Sequence, residues 1–210
     1  IENTMEALNF TNNGAANWVS NIEVGNHQSL RMALDTGGSF DWVNSNQCST
    51  PVCTDGHTQF NHSNSSSFRW VDKTTKTKEW GPWGTTQANL GFDAINIQPT
   101  DSDTGAFKEF NLITSFDDTD QFRELLWDGA LTIPSYSTGG KPFDAHAKID
   151  NIIIDLVTNG VIDPNEVFVS FDYDKNTGIG KYIIGSDDVD ANEVDLDSKI
   201  TLMQEDYQPV

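Results

Sequence analysis

Positive charge is scarce in this sequence: 12 Lys and Arg stand against 32 Asp and Glu, a net charge of −20 that repels nucleic acid and anionic membrane surfaces. A nucleic-acid partner is thereby excluded. Long apolar runs are missing as well. Crossing a bilayer needs roughly 18 apolar residues, and Ile152-Ile153-Ile154, among the longest candidates, is broken by Asp155. Cysteine is reduced to Cys48 and Cys53, a close even pair that in an oxidising compartment closes a small disulfide loop. With His57 and His62 the same pair forms C-x4-C-x3-H-x4-H, but the middle spacer is far shorter than that of a zinc finger. The stretch Asp172-Tyr173-Asp174-Lys175-Asn176 opens like a calcium loop, yet Thr177 and Ile183 occupy the positions that need Gly and Glu. No G-x-S-x-G, phosphate-loop or dinucleotide fingerprint occurs, and His27 and His146 have no paired nucleophile in sight. No metal and no cofactor are expected.

Aromatic residues are plentiful. Six Trp, twelve Phe and four Tyr supply enough apolar surface for a folded core, in a chain long enough for one large domain or two small ones. Short β-type runs dominate the first half: 18–24, 29–34, 40–43, 68–71 and 89–97, with Gly25-Asn26 as a hairpin turn. A short helix is expected over 120–126. A longer one is expected over 151–159, with Asp150 as its cap and Gly160 as its left-handed stop. Strands follow at 167–171 and 180–184, joined by the polar stretch 172–178. The fold class is all-β with minor helix. Segments 100–105 and 135–142 read as surface loops, and the Asp-rich run from Asp187 as a solvated face. The chain begins at Ile1 rather than Met, which together with sequons at Asn9, Asn61 and Asn64 suggests a processed, glycosylated protein of the secretory route.

The sharpest local signal is Met32-Ala33-Leu34-Asp35-Thr36-Gly37-Gly38-Ser39-Phe40-Asp41-Trp42-Val43, where an apolar strand delivers a carboxylate into a sharp turn. Taken alone, Asp-Thr-Gly is an ordinary hairpin turn. The context changes that reading: Cys48 to Cys53 follows as a C-x4-C loop, then Phe60 to Phe68 with its serine run. Together these segments resemble the amino-terminal lobe of pepsin-like aspartic proteases, which carry D-T-G-S-S-x-x-W-V-x-S, a small C-x4-C loop and F-x-P-x-x-S-S-T-F. The likeness continues through Leu90-Gly91-Phe92-Asp93-Ala94-Ile95, against L-G-Y-D-T-V, and Trp127-Asp128-Gly129-Ala130-Leu131, against F-D-G-I-L-G. Later segments, Asn159 to Ile162, Phe168 to Phe171 and Tyr182 to Gly185, keep the family's order and spacing.

The resemblance implies that residues 1–210 form the amino-terminal lobe of a bilobal acid endopeptidase, with a polypeptide substrate extended in the cleft between two lobes. Asp35 would be one of two catalytic aspartates, with Thr36 and Gly37 fixing its loop. Two carboxylates so close cannot both ionise, so the pair shares a proton and activates a water. Trp80, Gly81 and Trp83 fall where the family's flap covers the cleft. The other Asp-Thr-Gly, at Asp103-Thr104-Gly105, has no apolar strand before it. The second aspartate is therefore expected on a second-lobe chain held noncovalently, in a secreted or acidic vacuolar or lysosomal setting. Three departures stand out: Trp80 where the flap has Tyr, Gly38 where the loop has Ser, and Thr132 where a Gly is usual. They motivate the alternative of a catalytically inactive relative that binds a protein or glycan ligand. A homodimer in which each copy donates Asp35, as in retroviral enzymes, fits less well, since this chain is about twice as long as such a subunit.

Overall fold

The computed structural model describes residues 2–8, 17–36, 40–97, 106–132, 152–163 and 169–184. Its strands are β1 (Glu2–Leu8), β2 (Asn17–Val24), β3 (Gln28–Asp35), β4 (Trp42–Asn44), β5 (Arg69–Glu79), β6 (Thr85–Asn96), β7 (Ala106–Phe116), β8 (Gly129–Thr132), β9 (Val169–Asp174) and β10 (Ile179–Ile184). They form one mostly antiparallel sheet in the order β5-β6-β7-β4-β8-β3-β2-β1-β10-β9, and a further pairing of β2 with β6 folds that sheet back on itself. Three short helices accompany it: α1 (Pro51–Thr54), α2 (Asp120–Arg123) and α3 (Ile152–Thr158). The mainly β class expected from the sequence is what the chain adopts.

Two parallel pairings break the antiparallel pattern, β3 with β8 and β4 with β7. Strand β8 lies between β3 and β4, with Asp35 opposite Thr132 on one side and Trp42 opposite Ala130 on the other. At the start of β8 the backbones crowd, and Gly129 makes room: an added Cβ would stand 2.5 Å from both the Met32 sulfur and the Trp42 carbonyl oxygen. Larger side chains at this position would force β3 and β4 apart.

One hydrophobic cluster joins Val24, Leu30, Met32, Ile95, Phe110 and Leu112 to Ile152, Ile153 and Leu156 of α3. A second lies beneath the β5–β6 hairpin and includes Trp42, Val52, Ala88, Ile113, Phe122 and Trp127. Helix α3 ends as expected: Gly160 has φ +72°, and the Val161 and Ile162 amides donate back to the Leu156 carbonyl. Its expected cap, Asp150, lies outside the described residues, as do the loops 100–105 and 135–142 and the Asp-rich run.

Several elements differ from the sequence expectation. β4 starts at Trp42, not Phe40, because Asp41 turns its carboxylate into the core. β5 and β6 extend into a long hairpin, far past the expected 68–71 and 89–97. α2 stops at Arg123. The polar stretch 172–178 shrinks to a turn at 175–178, with Asp172 and Asp174 belonging to β9 and paired with β10. β1, β7 and β8 were not anticipated as strands.

Candidate active site

Asp35 is the last residue of β3 and is half-buried; Thr36 beyond it is exposed. Gly37, Gly38 and Ser39 lie outside the described residues. Strand β3 is laid down by an alternation that buries Leu30 and Met32 in the main core, while Ala33 faces the second cluster. Its parallel register with β8 sets Met32 against Gly129, Leu34 against Leu131 and Asp35 against Thr132. Asp35 and Thr132 are thus neighbours at one end of two adjacent strands.

Thr132 is fully buried, and both its backbone N–H and its hydroxyl donate to Asp41 Oδ1, at 2.6 and 3.0 Å. The other Asp41 oxygen accepts from the Lys108 ammonium at 2.7 Å. Lys108 is itself wholly buried on β7 and reaches Asp155 of α3 at 3.5 Å. One buried cation therefore ties β7, α3 and the strand after the Asp35 turn together. Burial pushes the Asp41 carboxyl above its ordinary range, against the pull of Lys108 and the two Thr132 donors. The departure at Thr132 noted in the sequence is matched by this acceptor: a glycine would offer Asp41 only the N–H.

A second polar anchor braces the other end of the same strand pair. The Asp128 side chain is fully buried just before β8 and accepts from Arg31 Nε at 2.9 Å, Arg31 Nη2 at 2.7 Å, the Arg31 amide at 3.0 Å and the Thr58 amide at 2.9 Å. His57 Nδ1 lies 3.3 Å away. Burial works to raise this carboxyl, but the Arg31 and His57 contacts and the backbone donors win and hold it at about 2. Arg31 Nη2 also donates to the Gly56 carbonyl at 2.7 Å, so the loop after α1 is fastened to β3.

The Cys48–Cys53 disulfide, the pairing expected from the sequence, ties α1 to the chain before it, and with His57 turned to Asp128 and His62 packed against Phe68 and Trp70 the four do not converge. Among the described residues no group of three or more His, Cys, Asp or Glu is placed to hold a metal ion. Asn61 and Asn64 flank a 3-10 turn; Asn64 is exposed, whereas the Asn61 side-chain oxygen accepts from the Ser63 amide and from Asn46. Asn9 lies outside the described residues.

The β5–β6 hairpin carries the residues expected over the cleft. Trp80 ends the first arm, Gly81–Trp83 form a 3-10 turn, and the Trp80 amide donates to the Gly84 carbonyl to close it. Gly81 has φ +59°, which a side chain rarely tolerates. Trp80 Nε1 donates to Thr86 Oγ1 at 2.9 Å, pinning the indole to the facing arm. Its ring meets Phe40 edge to face at 5.6 Å, which sets the hairpin against the chain just beyond the Asp35 turn. Trp83 packs toward Phe122 at 6.3 Å, and its carbonyl accepts from the Thr119 hydroxyl. Trp80 is thus set on Phe40 and Trp83 on Phe122, while Asp35 stands opposite Thr132 on the neighbouring strand.

Sequence reasoning missed Asp41, Lys108, Asp155, Asp128 and Arg31 as supports of this region. A signal existed: Asp41 sits inside Phe40-Asp41-Trp42-Val43 and Lys108 inside Ala106-Phe107-Lys108-Glu109-Phe110, and charges embedded in apolar strands must find each other.

The family model described as eukaryotic aspartyl protease matches residues 17–205. The chain belongs to that family. Among curated proteins it is similar to pregnancy-associated glycoprotein 1 of Sus scrofa, 31% identical over 129 residues that make up 59% of this chain and 31% of that protein. It is also similar to pepsin A of Callithrix jacchus, 31% identical over 130 residues, 60% of this chain and 30% of that protein. The match thus spans under a third of the length of these curated relatives.

Proposed function

We propose that residues 1–210 are the amino-terminal lobe of an aspartic endopeptidase and that Asp35 supplies one of its two catalytic carboxylates. The observation that carries this reading is the half-buried Asp35 at the end of β3, in register with Thr132, in a chain whose Trp80 hairpin packs on Phe40 shortly after Asp35 in sequence. The second carboxylate comes from a second lobe outside these residues. Since Cys48 and Cys53 are the only cysteines and close on each other, that lobe is held without a disulfide, on our reading as a separate chain. Asp103-Thr104-Gly105 lies outside the described residues and is not our candidate.

Two facing carboxylates share one proton: the ionised member takes a proton from water, and the protonated member gives its own to the scissile carbonyl oxygen. Water is the nucleophile, so no acyl-enzyme forms. Thr36 and Gly37 fix the turn. A substrate lies extended beneath the hairpin, held by strand-like backbone hydrogen bonds. Trp80 replaces the family's flap Tyr with a larger ring, and its bond to Thr86 keeps the lid in one rotamer. The acidic composition and the sequons at Asn9, Asn61 and Asn64 accord with a glycoprotein of a secreted or acidic vacuolar or lysosomal setting; of the described pair, exposed Asn64 is the better acceptor. No helix among the described residues is long and apolar enough to cross a membrane.

The test is cleavage of a denatured protein by the native particle between about pH 2 and 6, the range of coupled dyad titrations. Proteolysis from a particle heavier than the 23.2 kDa chain supports the reading. A particle that binds polypeptide or glycan but cleaves nothing across that range points to the inactive binding protein.

A further inference from the structure

The Trp80 hairpin carries a cation that the fold pairs with no acid. Lys78 is half-buried on β5, two positions before Trp80, so strand alternation puts both on one face. Its ammonium lies 5.4 Å from the Trp80 ring centre and 5.9 Å from that of Phe40. Four described cations have acids: Lys76 has Asp72, Lys108 has Asp41 and Asp155, Arg31 has Asp128, and Arg123 has Asp118 and Asp120, whereas Arg69 and Lys73 each lie over one ring, Phe92 and Trp70. Among the described residues no carboxylate comes within ion-pair distance of Lys78, and no oxygen accepts from it. Glu79 alternates to the exposed face, and Asp117, beside the hairpin turn, is taken by the Thr85 amide and hydroxyl.

Two aromatic faces attract a cation but satisfy none of its N–H donors, which are left for water or for a ligand. We propose that Lys78 is a specificity-determining residue that selects a peptide with a carboxylate side chain, Glu or Asp, at the position lying against the Phe40–Trp80 ring pair. This rests on the reading of the region as a peptide cleft. The methylenes of a Glu pack on the rings while its carboxylate reaches the ammonium. The chain's charge of −20 opposes any acidic ligand at long range, but at physiological salt that field fades within about 8 Å, whereas a contact pair on a half-buried face persists. The carboxyl of the ligand, near pH 4.3 for a Glu side chain, sets the pH dependence. Selection is present above that value and lost below it.

The experiment uses peptides whose scissile amide is reduced, so that binding is read without turnover, with one Glu walked along the sequence against its Gln counterpart. Calorimetry on the native particle is run near pH 5.5 and near pH 3. At one position Glu should bind roughly fivefold tighter than Gln at the higher pH, and equally at the lower. Lys78→Arg keeps the gap, Lys78→Gln removes it and Lys78→Glu inverts it, with circular dichroism unchanged. Peptides that bind with no Glu preference anywhere, or a preference that survives Lys78→Gln, overturn this inference while leaving the peptide cleft standing. Failure of every peptide to bind overturns the functional reading and this inference with it.

Discussion

Replacing Asp128 with Asn is the perturbation whose consequence the structure fixes most closely. In the folded chain this buried carboxyl is held at about 2, against 3.8 when unconstrained. A difference of roughly two pKa units at 1.36 kcal/mol each amounts to about 2.5 kcal/mol of stability. Since the folded state binds the proton more weakly than the unfolded chain, that stabilisation is complete above the unfolded value and falls away as pH drops from about 4 to about 2. Asn keeps an acceptor for Thr58 but presents N–H groups to Arg31, so Asp128→Asn costs about 2–4 kcal/mol at pH 5.5. Urea unfolding of both proteins at a series of pH values reads the effect. The gap between them is level above pH 4.5 and closes by about 2.5 kcal/mol toward pH 2. Should Asp128→Asn fail to fold, Arg31→Met, which removes only the guanidinium, shifts the wild-type acid limb to higher pH. Parallel stability curves from pH 5.5 to 2, or an acid limb unmoved in Arg31→Met, refute the reasoning.

Lys108→Met leaves Asp41 and Asp155 buried without their cation and costs about 3–5 kcal/mol near neutral pH. That cost shrinks in acid, where Asp41, already raised by burial, takes up a proton; a cost that does not change between pH 7 and 3.5 contradicts the assignment. Removing the disulfide with Cys48→Ser and Cys53→Ser together lowers unfolding free energy by about 2 kcal/mol from the short loop it closes, checked by denaturant midpoint. The charge of −20 is a self-repulsion that grows as carboxyls ionise, so its cost to stability rises with pH. Melting temperature should be lower at pH 7.5 than at pH 4.5 in low salt, with added salt narrowing the gap, and a steady rise over that interval is the contrary result. Combined with the acid loss at Asp128, this places maximum stability near pH 4 to 5.

What the sequence disclosed follows from how each element is buried. β2, β3 and α3 could be read because one face is apolar and the periods of two and 3.6 show through. β7 was hidden by inversion: its buried face includes Lys108, while Phe107 is 43% exposed and stacks on Phe92. The first arm of the hairpin, β5, has little burial on either face, so no alternation marks its extent. β8 is buried throughout its four residues and too short to carry a pattern. Asp35 and the hairpin were legible as ordered motifs. The anchors around them were not, because Asp41 meets Lys108 and Arg31 meets Asp128 across 67 and 97 positions of sequence, where local spacing carries no information.

The central claim is that Asp35 is half of a proton-sharing catalytic pair, and Asp35→Asn tests it most directly. An amide at this position cannot act as the base, and it has nearly the shape of the carboxyl it replaces. Hydrolysis of a denatured protein should fall to background at every pH between about 2 and 6, with circular dichroism and melting temperature essentially those of the wild type. Proteolysis that persists in the folded Asp35→Asn protein at the wild-type rate would contradict the account.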